Sequence, residues 1–200
     1  YKCSSLTSVT IPEGVTEIAS ETFYRCTSLE SVSLPEGLLS IASGGYYDNG
    51  DYVWGAFADC SSLESITIPA GVTSVGDYAF SNCRSLTSVT IPEGATEIAR
   101  GTFCECTSLK SIVIPASVTS IGSKAFYSCT SLTSVTIPES VTSIGAGAFS
   151  DCTSLKGVVI PSNVTVIENS AFRNCPNLTD ITFAHRGRDT LSCLLYTSDA

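Results

Sequence analysis

The sequence predicts an α/β repeat solenoid, and three observations predict it. A cysteine recurs every 23 residues as Cys3, Cys26, Cys60, Cys83, Cys106, Cys129, Cys152 and Cys175, with a single gap of 34 between Cys26 and Cys60. A leucine stands three residues after each of them, from Leu6 to Leu178. A phenylalanine stands three residues before seven of them, from Phe23 to Phe172. Self-similarity at a fixed period of roughly 20 to 50 residues indicates stacked supersecondary units, which replaces the one or two ordinary domains that length alone would suggest. Each unit reads as strand, turn, shorter strand and helical turn.

The longer strand comes first in each unit. Six and eight residues after the cysteine the chain is apolar, as in Val9 and Ile11, Val135 and Ile137, or Ile181 and Phe183. The residue between them is polar in most copies, and β-branched types prevail, so the segment reads as a strand with one buried face. Proline follows at once in seven copies, from Pro12 to Pro161. It lacks a backbone donor and holds the preceding residue extended, so it ends the strand.

A turn is expected next. Two residues past the proline stand Gly14, Gly37, Gly71, Gly94, Ser117, Ser140 and Asn163, mostly types suited to turns. The chain then resumes as Val15-Thr-Glu-Ile18 and its equivalents, a second and shorter strand ending at Ile41, Val75, Ile98, Ile121, Ile144 or Ile167 in later copies. Phenylalanine and cysteine three residues apart fit one helical turn with both side chains inward. One cysteine per coil at constant phase gives a ladder of reduced, buried thiols, since parallel Cβ vectors suit a disulfide poorly. Zinc has no CxxC pair to hold it, and only Cys104 and Cys106 lie close in sequence.

The plan is one solenoid over residues 1–183, with an insertion at 44–54, and a non-repeat tail over 184–200. Ala184 stands where proline is expected, and the residues after it lack the repeat spacing. The tail is expected to lie loosely on the last coil or to be disordered, and its end, Ser192 to Ala200, resembles translated adapter sequence. The chain contains no methionine and opens two residues before a ladder cysteine, so it reads as a piece of a longer protein.

Composition excludes several function classes. Ten Lys and Arg stand against 19 Asp and Glu, for a formal net charge of -9, which opposes a nucleic-acid partner. No apolar run approaches the roughly 20 residues of a membrane span, and no signal peptide opens the chain. Catalysis finds no support, because the single histidine, His185, lies in the tail and cannot be paired with a nucleophile. No cofactor motif occurs, since the glycines punctuate turns at repeat spacing. Asn163-Val-Thr165 and Asn177-Leu-Thr179 match the glycosylation acceptor pattern, read here as by-products of a Thr-rich repeat.

The unit L-x-S-V-x-I-P-x-G-V-T-x-I-x-x-x-A-F-x-x-C, from about residue 3 to 183, resembles the leucine-rich repeat of the BspA-like class. The resemblance implies a right-handed, curved leucine-rich-repeat superhelix with a parallel β-sheet on one side. It implies an extracellular or cell-surface role in ligand binding or self-association, with a protein or glycan on a host or matrix surface as partner. The asparagine ladder of commoner leucine-rich repeats is replaced here by Gly14, Gly37, Gly71 and Gly94, which supports the subclass. A shared fold does not transfer a ligand.

Candidate binding residues lie where the copies differ. Outward columns contain Glu30, Glu64 and Lys110 beside the longer strand, and Thr67, Thr90 and Thr136 on it. These columns are either a recognition face for an extended partner or a soluble sheet surface of good strand propensity. Regular hydroxyl rows could also match ice, but curvature and the charged interruptions oppose that. The insertion contains Tyr46, Tyr47, Tyr52 and Trp54 among Asp48, Asn49, Gly50 and Asp51, a composition of rigid aromatics and adaptable polar residues found in binding loops. The alternative is a surface loop whose aromatics pack back on the solenoid; as a calcium loop it is too short. The module is read as a binding or adhesion unit, with a structural spacer as the alternative.

Overall fold

The computed structural model describes residues 2–46 and 52–184. Longer strands occur at β1 (Ser8–Thr10), β3 (Ser31–Ser33), β7 (Ser65–Thr67), β9 (Ser88–Thr90), β11 (Ser111–Val113), β13 (Ser134–Thr136), β15 (Gly157–Ile160) and β17 (Asp180–Phe183). Shorter strands alternate with them at β2 (Glu17–Ile18), β4 (Ser40–Ile41), β8 (Ser74–Val75), β10 (Glu97–Ile98), β12 (Ser120–Ile121), β14 (Ser143–Ile144) and β16 (Val166–Ile167). A two-stranded hairpin, β5 (Gly45–Tyr46) and β6 (Tyr52–Val53), interrupts the series.

Every pairing between coils is parallel and in repeat register, so Val135 meets Ile112 on one side and Val158 on the other. The shorter strands pair likewise, with Ile121 between Ile98 and Ile144. Only the hairpin is antiparallel, joining Tyr46 to Tyr52. The chain is thus a parallel-strand β-solenoid of the leucine-rich-repeat type, with two walls of strand.

The third wall corrects the expected helical turn, and with it the α/β assignment: among the described residues there is no helix. The residue two after the phenylalanine adopts a left-handed φ in every copy, as in Arg25, Asp59, Asn82, Glu105, Ser128, Asp151 and Asn174 at 54° to 61°. A left-handed residue ends any right-handed helical run before it completes. What forms is a pair of turns, in which Cys106 N–H bonds to Phe103 O at 3.2 Å and Leu109 N–H to Cys106 O at 3.1 Å. Alternate N–H groups leave the coil instead. Phe80, Phe103 and Phe126 donate to Thr102, Ala125 and Ala148 of the following coil at 2.8 to 2.9 Å. From two residues before the phenylalanine to the cysteine the backbone bonds between coils run one way, from the N–H of the earlier coil to the carbonyl of the later one, whereas past the cysteine Ser85 and Ser131 donate back to Ser61 and Thr107.

The inward positions read from the spacing form one continuous core. Six consecutive phenylalanine pairs from Phe23 to Phe172 stack with centroids 5.1 to 5.7 Å apart and planes within 13° of parallel. Such offset pairs add about 0.5 to 1.5 kcal/mol each beyond their buried area. Leu29, Leu63, Leu86, Leu109, Leu132 and Leu155 are wholly buried. So are the central cysteines, whereas Cys3 is exposed and Cys175 half-buried.

Each ladder thiol from Cys60 to Cys175 donates its S–H to the phenylalanine carbonyl of the preceding coil at 3.1 to 3.3 Å. The ladder is therefore made of free thiols that also satisfy backbone acceptors. Burial pushes Cys60 and Cys152 up to about 12 and Cys83, Cys106 and Cys129 well above the usual thiol range.

One coil is underfilled. Ala95 stands where other copies place valine or leucine, and an interior gap of about 10 Å³ opens beside it against Val75, Ile91, Ile98 and Phe103. Ala95→Val should fill the gap and stabilise by about 0.5 to 1.5 kcal/mol. A urea midpoint that stays put or falls would show that the coils do not relax around a valine there.

The turn after the proline closes through Pro O to the N–H three residues on, at 3.0 to 3.3 Å in all seven copies. Only Gly14, at φ 94°, needs glycine there. Gly37, Gly71 and Gly94 keep ordinary φ values, which explains why Ser117, Ser140 and Asn163 substitute freely.

Candidate functional site

The insertion leaves the coil on a tight neck between the shorter strand and the phenylalanine wall. Ser20 Oγ donates to Ser43 O at 2.6 Å, and Gly44 N–H donates to Asp77 O at 2.6 Å. Glu21 and Trp54 exchange two bonds: Glu21 N–H to Trp54 O, and Trp54 N–H to Glu21 Oε1, both at 3.1 Å. A Cβ on Gly44 would lie 2.4 Å from Gly55 N, and one on Gly55 would lie 2.2 Å from Tyr78 O. Glycine at both ends of the insertion is what lets the two strands of the neck pass between neighbouring coils.

Trp54 is half-buried, with its ring stacked on buried Tyr24 at 5.1 Å and 6°. It belongs to the base of the insertion. Tyr46 and Tyr52 are backbone partners in the ladder of the described hairpin. Tyr47, Asp48, Asn49 and Asp51 lie outside the described residues, as does the tail from His185 onward.

The outward columns occupy a different side of the coil. Glu30, Glu64, Lys110, Thr67, Thr90 and Thr136 are all exposed. Glu30 and Glu64 sit in adjacent coils, joined by a bond from Glu64 N–H to Glu30 O at 3.3 Å. The row holding Thr67, Thr90 and Thr136 also presents Val113 and Val159, 79% and 55% exposed, so it is not an unbroken hydroxyl array.

Many threonines have a duty that no single copy of the repeat reveals. Thr87, Thr133 and Thr179 donate to the carbonyls of Glu64, Lys110 and Lys156 in the preceding coil, at 3.1 to 3.4 Å. Thr119, Thr142 and Thr165 do the same along the next wall, at 3.1 to 3.3 Å. Both acceptor-pattern asparagines are similarly engaged: Asn163 Nδ2 donates to Glu139 O and Asn177 Nδ2 to Thr153 O, each at 2.7 Å.

A shallow, open cleft not foreseen in the sequence lies beside the neck. It measures about 190 Å³ and is lined by Arg25, Thr27, Asp59, Ser61, Asn82 and Arg84. Arg25 Nε meets Asp59 Oδ2 at 3.3 Å, and its guanidinium lies 5.3 Å from the Tyr24 ring centroid. Arg84 bonds Asn82 Oδ1 through Nε and Nη2 and reaches Glu105 Oε2 at 3.4 Å. Cys104 offers no reactive thiolate near neutral pH, since burial, reinforced by Glu105, raises it to about 11. No three His, Cys, Asp or Glu side chains are grouped to hold a metal among the described residues.

The parallel ladders, the free thiols and the stacked phenylalanines set the terms for comparison. A family model for the BspA type leucine rich repeat region matches residues 1–51 and 54–185 in six copies. The chain belongs to the BspA-type leucine-rich repeat family. The match resumes at Trp54, so the residues it skips fall within the hairpin of this BspA-type chain.

Solved structures agree with the fold. A leucine-rich repeat protein from Bacteroides ovatus is 30% identical over 91% of this chain and 50% of its own, with a TM-score of 0.74. The leucine-rich repeat protein of T. pallidum is 31% identical over 88% of this chain and 69% of its own, at 0.64. A third, from Eubacterium ventriosum, is 26% identical over 89% and 49%, at 0.60. This chain thus spans half the length of the Bacteroides ovatus protein. No curated protein matches it. BspA-type repeats form a scaffold that is generally non-enzymatic, of a kind associated with protein interaction or surface display.

Proposed function

We propose that this BspA-type solenoid is a binding module of a larger cell-surface or secreted protein. Its partner is a protein or glycan on a host or matrix surface, engaged through the 44–54 hairpin and the outward strand face. The observation that carries this reading is the neck. A surface insertion that merely filled space would not need two glycines wedged between coils, a reciprocal Glu21–Trp54 pair and an Asp77 carbonyl to fix it. Rigid mounting lowers the entropy lost when the tip engages a partner. On this reading Tyr46, Tyr47, Asp48, Asn49, Asp51 and Tyr52 supply the contacts while Trp54 anchors their base. Glu30, Glu64, Lys110 and the Thr67, Thr90 and Thr136 row extend the surface, and a second copy of the chain is a further partner it could accommodate.

The competing reading is a spacer that holds another domain away from the cell. Removing residues 45–53 and closing the neck with the existing Gly44 and Trp54 separates the two. Adhesion of the purified protein to immobilised extracellular matrix is expected to fall at least tenfold while the melting temperature stays within a few degrees. Unchanged adhesion, or none in the parent, would favour the spacer.

A further inference from the structure

We propose that the cleft between Arg25 and Arg84 binds a carboxylated sugar ring of the uronic or sialic acid type. Two departures from the repeat build it. The position after the ladder cysteine is otherwise serine or threonine from Ser4 to Thr153. There the hydroxyls of Ser61, Thr107, Thr130 and Thr153 donate to the preceding coil at 3.3 to 3.4 Å. Arg84 gives up that bond. Arg25 is the one arginine at the left-handed position, which Asp59, Asn82, Asp151 and Asn174 fill with types tolerant of positive φ and which Lys2, Glu105 and Ser128 also occupy. The contacts that hold them, Arg25 with Asp59 and the Tyr24 ring and Arg84 with Asn82 and Glu105, are largely exposed, and exposed ion pairs contribute little stability.

The functional groups fit one class of ligand. Arg25 holds Asp59 through Nε alone, which leaves Nη1 and Nη2 for a ligand carboxylate. Asp59, the Asn82 carbonyl and the hydroxyls of Thr27 and Ser61 are acceptors for ligand hydroxyls. Asp59, Glu105 and the net charge of -9 oppose a bare polyanion, and a neutral sugar would give Nη1 and Nη2 of Arg25 no anionic partner. A ring with one carboxylate among several hydroxyls uses both sets. This inference stands apart from the hairpin reading and survives its failure.

The test titrates the whole chain with N-acetylneuraminic acid, galacturonic acid and galactose, following amide and guanidinium NMR signals. At least one acid is expected to bind in a saturable way and shift Arg25 and Arg84, with galactose weaker by about tenfold or more, the worth of a charge-assisted hydrogen bond. Arg84→Thr restores the repeat hydroxyl and Arg25→Asn restores a residue suited to the left-handed turn. Each should keep or raise the melting temperature and weaken the acid about tenfold. The proposal falls if neither acid shifts these signals, if galactose or a short acidic peptide binds equally well, or if the variants bind like the parent. A drop in melting temperature with binding unchanged would make the arginines purely structural and overturn it too.

Discussion

Raising the pH from 7 to 10 is expected to remove several kcal/mol of stability, a large share of what holds most proteins folded. Cys60, Cys83, Cys106, Cys129 and Cys152 are buried and hold their protons far more tightly folded than unfolded, where the ordinary value is 9.0. A raised folded pKa in a thiol means that the folded state keeps the neutral form. The stability is therefore intact below pH 9, and it declines as the unfolded chain ionises while the folded one cannot. The loss continues up to the folded value, about 12 for Cys60 and Cys152. One unit above the unfolded value each thiol costs on the order of 1 kcal/mol, so five together cost several. Ionisation would also remove the S–H donor that each thiol offers to a phenylalanine carbonyl.

Urea midpoints at pH 7 and pH 10 check this, with Cys129→Ala as an internal control. That variant should lose on the order of 1 kcal/mol less between the two pH values than the parent does. Equal midpoints at both pH values would mean that the thiols ionise in the folded protein, and the buried ladder would be wrong.

Phe103→Ala is expected to cost about 3 to 5 kcal/mol, the usual range for emptying a buried aromatic site. Phe103 is almost fully buried and stacks on Phe80 at 5.7 Å and Phe126 at 5.6 Å, so its removal breaks two ring contacts and leaves a void in the middle of the stack. In a solenoid each coil is held only by its neighbours, so the defect divides the stack into two shorter ones. Denaturant unfolding should then lose cooperativity as well as midpoint. The same change at Phe172, half-buried in the last described coil, should cost clearly less. Comparable losses at the two sites would argue against nearest-neighbour coupling.

The core was legible because burial leaves a one-dimensional trace. Cysteine, leucine and phenylalanine at constant phase cannot be explained by a solvated surface, and all three ladders face inward. The helical turn misread the same trace. A spacing of three residues is shared by a helical turn and by two successive turns that meet at a left-handed residue. The signal that separates them was present in Asp59, Asn82, Asp151 and Asn174, types that favour positive φ just before the cysteine.

The hydroxyl columns were harder to read. Thr87 and Thr119 look like ordinary exposed hydroxyls until a preceding coil supplies the carbonyl each one caps. The cleft could not be read from any single copy, since Arg25, Asp59 and Arg84 come from three coils and the 34-residue spacing hides their alignment. The hairpin was visible as an interruption, but its neck was not. Gly44 and Gly55 resemble ordinary loop glycines until Tyr78 and the opposite strand are placed against them.

The one-way bonding of the phenylalanine wall gives the molecule an electrical axis. In each strand ladder the bonds between coils alternate in direction and their dipoles largely cancel. Along this wall they add, as peptide dipoles do along a helix. The amide hydrogens of Phe23, Phe57, Phe80, Phe103, Phe126 and Phe149 all point toward later coils, and the carbonyls that receive them point back. The wall is therefore electropositive toward Phe172 and electronegative toward Phe23. A change in the number of coils, made in whole units of 23 residues, would lengthen or shorten this axis without reversing it.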